Sequence, residues 1–160
     1  MTFARTARLS AAAAACALLA AAPAATPAVD DGLCLGPGSG YDASAERTLR
    51  SLTNAFRSSM GLPRLRPKGA LTSAARRHSR SMAAGGYFQH SSRGGAFPWA
   101  GGRVAGENLA MAQSPEQAMG LLARSPTHRR TLLSRAYTRF GIGAIRTCTG
   151  ALLITQDFQG

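Results

Sequence analysis

In Phe140-Gly141-Ile142-Gly143-Ala144 large apolar residues alternate with glycine, and after Thr149-Gly150 the residues Leu152, Ile154 and Phe158 repeat the period of two. Two such runs joined by a short Thr-Gly turn predict an antiparallel hairpin. Upstream the period is helical instead. Ala45, Leu49, Leu52, Phe56 and Met60 predict a helix over about 44–60, with Asp42 or Ser44 as N-cap and Gly61-Leu62-Pro63 as the stop. Leu71, Ala74, Ala75, His78 and Met82 share one face of a second helix over about 70–84, ended by Gly85-Gly86. Ser114-Pro115-Glu116-Gln117 offers an N-cap, a proline at the first helical position and a capping-box partner, and Ser125-Pro126-Thr127-His128 restarts a helix by the same device. Helices early and strands late predict an α+β fold, with helices packed on a small antiparallel sheet that ends in a C-terminal hairpin. Between the second helix and Ser114 lies a glycine-rich irregular stretch from Tyr87 to Gly106, which contains Trp99; loops of that length usually line a site.

The chain has 160 residues, 45% hydrophobic and 16% charged, enough for one domain with a short appendage. That composition excludes a disordered tail, a collagen-like repeat, a coiled coil and a multi-span membrane protein. Its net charge is +12, and every basic residue except Lys68 is arginine. The appendage is N-terminal. Arg5 and Arg8 precede an uncharged Ala/Leu run from Leu9 to Ala22, too short and too weakly apolar to span a membrane, and small residues follow. This is the anatomy of a secretory signal, with cleavage after Ala24 or, better, after Ala28. The chain then divides into a signal at 1–28 that is removed, an extended leader at 29–43 and a domain at 44–160. Losing Arg5 and Arg8 takes the charge from +12 to +10, and losing Cys16 leaves Cys34 and Cys148. A lone cysteine pair in a secreted, extracellular chain predicts a disulfide, which ties the leader to the C-terminal hairpin. After cleavage no membrane span remains.

Of the 7 carboxylates, Asp30 and Asp31 lie in the leader, Asp42, Glu46 and Glu116 stand at helix N-termini, and Asp157 falls on the last strand. Glu107, in Ala105-Gly106-Glu107-Asn108-Leu109-Ala110, has no such local explanation, and a carboxylate among apolar neighbours needs a partner. Three histidines are available. His78 reads as a hydrogen-bonded core residue. His90 lies in the irregular stretch, and His128 sits in the first turn of a helix, where the dipole favours the neutral imidazole that a ligand or general base requires. A His90/Glu107/His128 cluster is the candidate site. Ser91, Ser92 and Ser125 offer hydroxyls near histidines, without singling out a nucleophile.

Six motifs in register carry a resemblance. Ala74-x-x-x-His78, Met82-x-x-x-Gly86-Tyr87-Phe88-x-His90, Gly106-Glu107-Asn108-Leu109-Ala110, Ser125-Pro126-x-His128-Arg129, Phe140-Gly141-Ile142-Gly143 and Thr155-Gln156-x-Phe158 occur in the order of the CAP superfamily, also called the SCP domain. The chain most resembles its small secreted bacterial branch, from about Glu46 to Phe158. The resemblance implies an α-β-α sandwich whose cavity carries two histidines and two acids, with zinc bound in some members. His90, Glu107 and His128 match three of the four; the second acid falls on Ser125, and a tryptophan of the preceding helix falls on Leu122. Asn108 would support Glu107 through hydrogen bonds to backbone.

Three functions follow as expectations. The first is a secreted module whose cleft binds a small ligand, a lipid or a divalent metal such as Zn²⁺, without robust catalysis. The second is a metal-assisted hydrolase in which His90 and His128 hold the ion and Glu107 is ligand or general base. The third is a binder of anionic cell-wall or surface polymers. Nothing points to specific recognition of nucleic acid.

Overall fold

The computed structural model describes residues 33–91, 97, 100–101 and 103–160. The signal segment, Ser92 and Trp99 lie outside the described residues. The elements run β1 (Gly40–Tyr41), α1 (Ala43–Ser59), β2 (Arg66–Pro67), α2 (Gly69–Gly85), β3 (Ala105–Ala112), α3 (Pro115–Arg124), α4 (Pro126–Leu132), β4 (Arg139–Arg146) and β5 (Leu152–Gln159). The sheet order is β1-β4-β5-β3, with every pair antiparallel except the short β2, which runs parallel to β4.

Period two on the hairpin sorts the sheet into two faces. Phe140, Ile142, Leu152, Ile154 and Phe158 join Leu49, Leu65, Leu122 and Leu132 in the larger core, under α1, α3 and α4. Ile145, Leu153 and Leu109 join Met82 of α2 in a smaller core on the opposite face. Each fully buried Leu, Ile or Phe contributes about 1.5–3 kcal/mol, so the hairpin, buried on both sides, is the centre of the fold. The glycines alternating along β4 have a specific purpose. A β-carbon on Gly141 would run into the backbone of Leu71 and Thr72, and one on Gly143 into that of Ala75 and Arg76. Their bareness lets α2 lie directly against the strand.

Helix ends follow their capping chemistry. The Asp42 carboxylate accepts from Ser44 N–H at 3.1 Å and Ala45 N–H at 2.9 Å, and Arg146 donates to its other oxygen at 2.7 Å. The Ser44 hydroxyl, the Ala45 amide and Arg146 together hold that carboxyl well below the usual carboxylate range. Ser114 caps α3 by accepting from Gln117 N–H at 3.2 Å, but the Gln117 side chain reaches Gln113 N–H at 2.6 Å, one residue before the cap of an ordinary capping box. Ser125 caps α4 with its backbone alone, so the device repeated from α3 is the proline and not the hydroxyl.

Two features differ from the sequence expectation. The stretch around Glu107 is a full strand, β3, and not the end of a loop. Glu46 is completely buried and is held by Arg76 through a bidentate pair at 2.8 and 2.6 Å, so its place in the first turn of α1 is only part of its role. Cys34 and Cys148 form the disulfide, with Cα atoms 5.5 Å apart across 114 residues of chain. In the chain-entropy picture a closed loop of that size stabilises by about 4–5 kcal/mol. No helix among the described residues is long and apolar enough to cross a membrane.

Candidate functional site

The pairing of β3 with β5 sets Glu107 opposite Asp157. Both belong to the sheet face that carries Leu109 and Leu153, the face covered by α2. The chain leaves α2 through Gly86 and returns past β3, carrying Tyr87 to Ser91 over this row. The Glu107 side chain has no solvent exposure, and three donors converge on it. His90 Nδ1–H donates to Oε1 at 2.8 Å, Ser91 N–H to the same oxygen at 3.0 Å, and the Ser91 hydroxyl to Oε2 at 2.6 Å. The Glu107 carboxylate assigns the His90 proton to Nδ1 and leaves Nε2 with a free lone pair on a ring that is 48% exposed.

His78 completes this side. Its Nε2–H donates to the Gln89 carbonyl at 2.9 Å, and the same nitrogen stands 4.0 Å from Glu107 Oε2. The ring therefore anchors the segment that presents His90, in keeping with a hydrogen-bonded histidine on the α2 stripe. His128 enters from α4. Burial, and then repulsion from the His90 ring whenever that ring is protonated, lower its pKa, so its imidazole is neutral at physiological pH. Asn108, expected to brace the presentation of Glu107, bonds instead from Nδ2 to the His128 carbonyl at 3.2 Å. It is a strand residue whose neighbour Glu107 points to the opposite face, so its amide braces α4. Ser125 enters the arrangement as the backbone cap of α4.

Asp157, which the sequence places only on the last strand near the chain end, belongs to the site. Its carboxyl is fully buried, and neither oxygen meets a donor among the described residues. Its neighbour is the Glu107 carboxylate. Two acceptors in contact can bond only by sharing a proton, and burial together with the charge and hydrogen bond of Glu107 pushes the Asp157 pKa up to about 9. Arg77 opposes this shift from a distance. Asp157 is therefore a neutral acid at pH 7, donating to Glu107. No single-strand pattern could reveal this, because it depends on the register between β3 and β5.

The same geometry bears on the expected zinc cluster. Among the described residues no three His, Cys, Asp or Glu groups stand together as a ligand set for a metal ion. The reason is local: both Glu107 oxygens face inward to Ser91, His90 and Asp157. What the site offers outward is imidazole nitrogen.

Residues 50–158 match the cysteine-rich secretory protein family, CAP. The chain is 31% identical over 123 residues to the uncharacterised protein YkwD of Bacillus subtilis (strain 168), which covers 72% of this chain and 47% of that protein. The chain thus spans about half the length of that relative. Among solved structures, an extracellular protein containing an SCP domain from Bacillus anthracis is 29% identical with a TM-score of 0.60, over 72% of this chain and 40% of the other. An outer surface protein from Borrelia burgdorferi, at 15% identity, shares the fold with a TM-score of 0.67 over 76% of this chain and 97% of its own. The family match covers most of the chain and the strands and helices superpose on SCP-domain structures; the chain belongs to the cysteine-rich secretory protein (CAP) family.

Proposed function

We propose that this chain is an exported CAP-domain binding module whose cleft takes a small ligand or a divalent cation through the imidazoles of His90 and His128, without hydrolysis. One observation carries the reading: Glu107 is saturated by three donors and orients His90, so that Nε2 is the outward acceptor. A carboxylate that fixes the tautomer of a neighbouring imidazole is the usual support of a histidine ligand. His128, kept neutral by burial, offers a second nitrogen of the same kind. Two imidazoles fit two positions of a tetrahedral Zn²⁺ and leave the others to ligand or water; such an ion would supply Lewis acidity at that spot. The hydrolase alternative draws less support, since a general base needs a lone pair directed at water and those of Glu107 are engaged. Export is supported by the signal-like segment at 1–28, by the disulfide, which persists in oxidising compartments, and by the extracellular B. anthracis relative.

Calorimetric titration with Zn²⁺ tests the reading. We expect the wild-type protein to bind and His90→Ala/His128→Ala to lose at least about tenfold in affinity, equivalent to about 1.4 kcal/mol. Equal binding by the double variant would overturn it.

A further inference from the structure

On the opposite side of the sheet from Glu107, α1 presents Arg47 and Arg50 along its outward stripe, and the segment entering β2 presents Arg64 and Arg66. These four arginines line a cleft of about 570 Å³ floored by Phe140. Arg64 and Arg66 also line an adjoining cleft of about 360 Å³, together with Arg139 and Tyr137. Five guanidinium groups thus border two hollows that share Arg64 and Arg66 in their linings.

The arginines are held in place by backbone, not by carboxylates. Asn54 of α1 clamps Leu65 from both sides, donating to its carbonyl at 3.1 Å and accepting from its N–H at 2.8 Å. Arg66 N–H donates to the Thr138 carbonyl at 3.0 Å and Lys68 N–H to that of Phe140 at 2.9 Å, which sets Arg66 beside Arg139. Among the described residues none of the five side chains forms an ion pair or a hydrogen bond. Asp42 and Glu46 are committed to Arg146 and Arg76 instead. Like charges gathered without counter-charge repel one another, and an anion spanning both hollows relieves that repulsion.

We infer that this face is a binding site for a linear, non-aromatic polymer carrying phosphate groups, with Arg64 and Arg66 at the junction of its two hollows. Planar guanidinium forks match phosphate oxygens bidentately, and two adjoining hollows fit successive groups of one chain. Nucleic acid is disfavoured because it adds affinity by stacking bases on aromatic faces. Phe140 is fully buried here, and the Tyr137 ring is stacked on Phe158 at 5.5 Å.

Fluorescence anisotropy with labelled inorganic polyphosphate tests the site on the full chain. Arg64→Gln/Arg66→Gln should lose about tenfold or more in affinity and flatten the salt dependence by one to two phosphate contacts. Arg47→Gln/Arg50→Gln, which leaves the β2 segment intact, should weaken binding in the same sense. Arg80→Gln/Arg124→Gln removes equal charge elsewhere and should change affinity less than about twofold. The inference fails if the Arg80/Arg124 variant loses as much as the site variants. It also fails if poly-glutamate, single-stranded DNA or free phosphate at equal anion concentration binds as tightly as polyphosphate. Neither result touches the zinc titration, which reads His90 and His128 and none of these arginines.

Discussion

Two buried carboxylates, Glu46 and Asp157, show opposite solutions to one electrostatic problem. Glu46 is enclosed between α1, α2 and β4, and it receives a bidentate guanidinium from Arg76 together with the Ala144 N–H at 3.4 Å. Asp157 is as deeply enclosed but meets another acid, Glu107, and keeps its proton. The first arrangement binds elements together. The second holds a proton among buried acids beneath His90, where its contribution to the fold fades as pH rises. A buried carboxylate with a cation is explained by architecture; one without a cation marks a place where architecture has yielded to something else.

The sharpest way to break this contrast is to remove the cation. Arg76→Ala leaves Glu46 buried and uncompensated, which costs about 3 kcal/mol, the low end for a broken buried pair because the Arg76 side chain is 38% exposed. A urea denaturation midpoint at pH 7 checks this, and an unchanged midpoint would mean that Glu46 finds water or a proton as readily as Asp157 does.

The opposite substitution is expected at the other acid. In Asp157→Asn an amide N–H replaces the shared proton, so the bond to Glu107 persists without any requirement for protonation. The sign follows from the raised pKa. The folded protein holds a proton on Asp157 up to about pH 9. The unfolded chain releases it near the ordinary aspartate value of about 4. Asp157 therefore favours the fold most below that value, and its contribution falls as pH rises through the window to about 9. We expect Asp157→Asn to raise stability at pH 8 by about 1–3 kcal/mol and to flatten the decline between pH 5 and 8. Thermal melts across that range check it; a variant that destabilises at pH 8 would show that the charged carboxylate has a donor after all.

The two regions also differ in how far the sequence revealed them. The helices and the hairpin were legible because each buries one stripe or one alternating set, and Asp42 and Ser114 announce their helices by capping chemistry. β3 was not legible, because Ala105-Gly106-Glu107-Asn108 puts small and polar residues where β4 and β5 carry large apolar ones at every second position. With β3 unrecognised, its register with β5 was out of reach, and Asp157 with it. Glu107 stood out by elimination, since no helix terminus accounted for it, and the structure puts His90 against it. The five arginines looked scattered along the chain. Only the Asn54 clamp and the parallel pairing of β2 with β4 gather them. Arg57 was equally hidden: fully buried, it donates to the carbonyls of Pro63, Leu132 and Ser134 at 3.1, 2.7 and 3.0 Å, all remote from it in local pattern.

The smallest effect concerns the third donor on Glu107. Ser91→Ala removes the hydroxyl bond to Oε2 but leaves the Ser91 N–H and His90 bonds to Oε1 in place. A partly buried hydrogen bond to a charged acceptor, with water able to take part of its place, is worth about 1 kcal/mol. That lowers the melting temperature by about 3–5 °C in a domain of this size. The tautomer of His90 depends on Oε1 and should not change, so nitrogen NMR should still find the proton on Nδ1. A proton moved to Nε2 would mean that both oxygens act as one unit in orienting the ring. The contrast between the two buried acids would then extend to His90, because the proton shared with Asp157 would help decide which nitrogen faces the cleft.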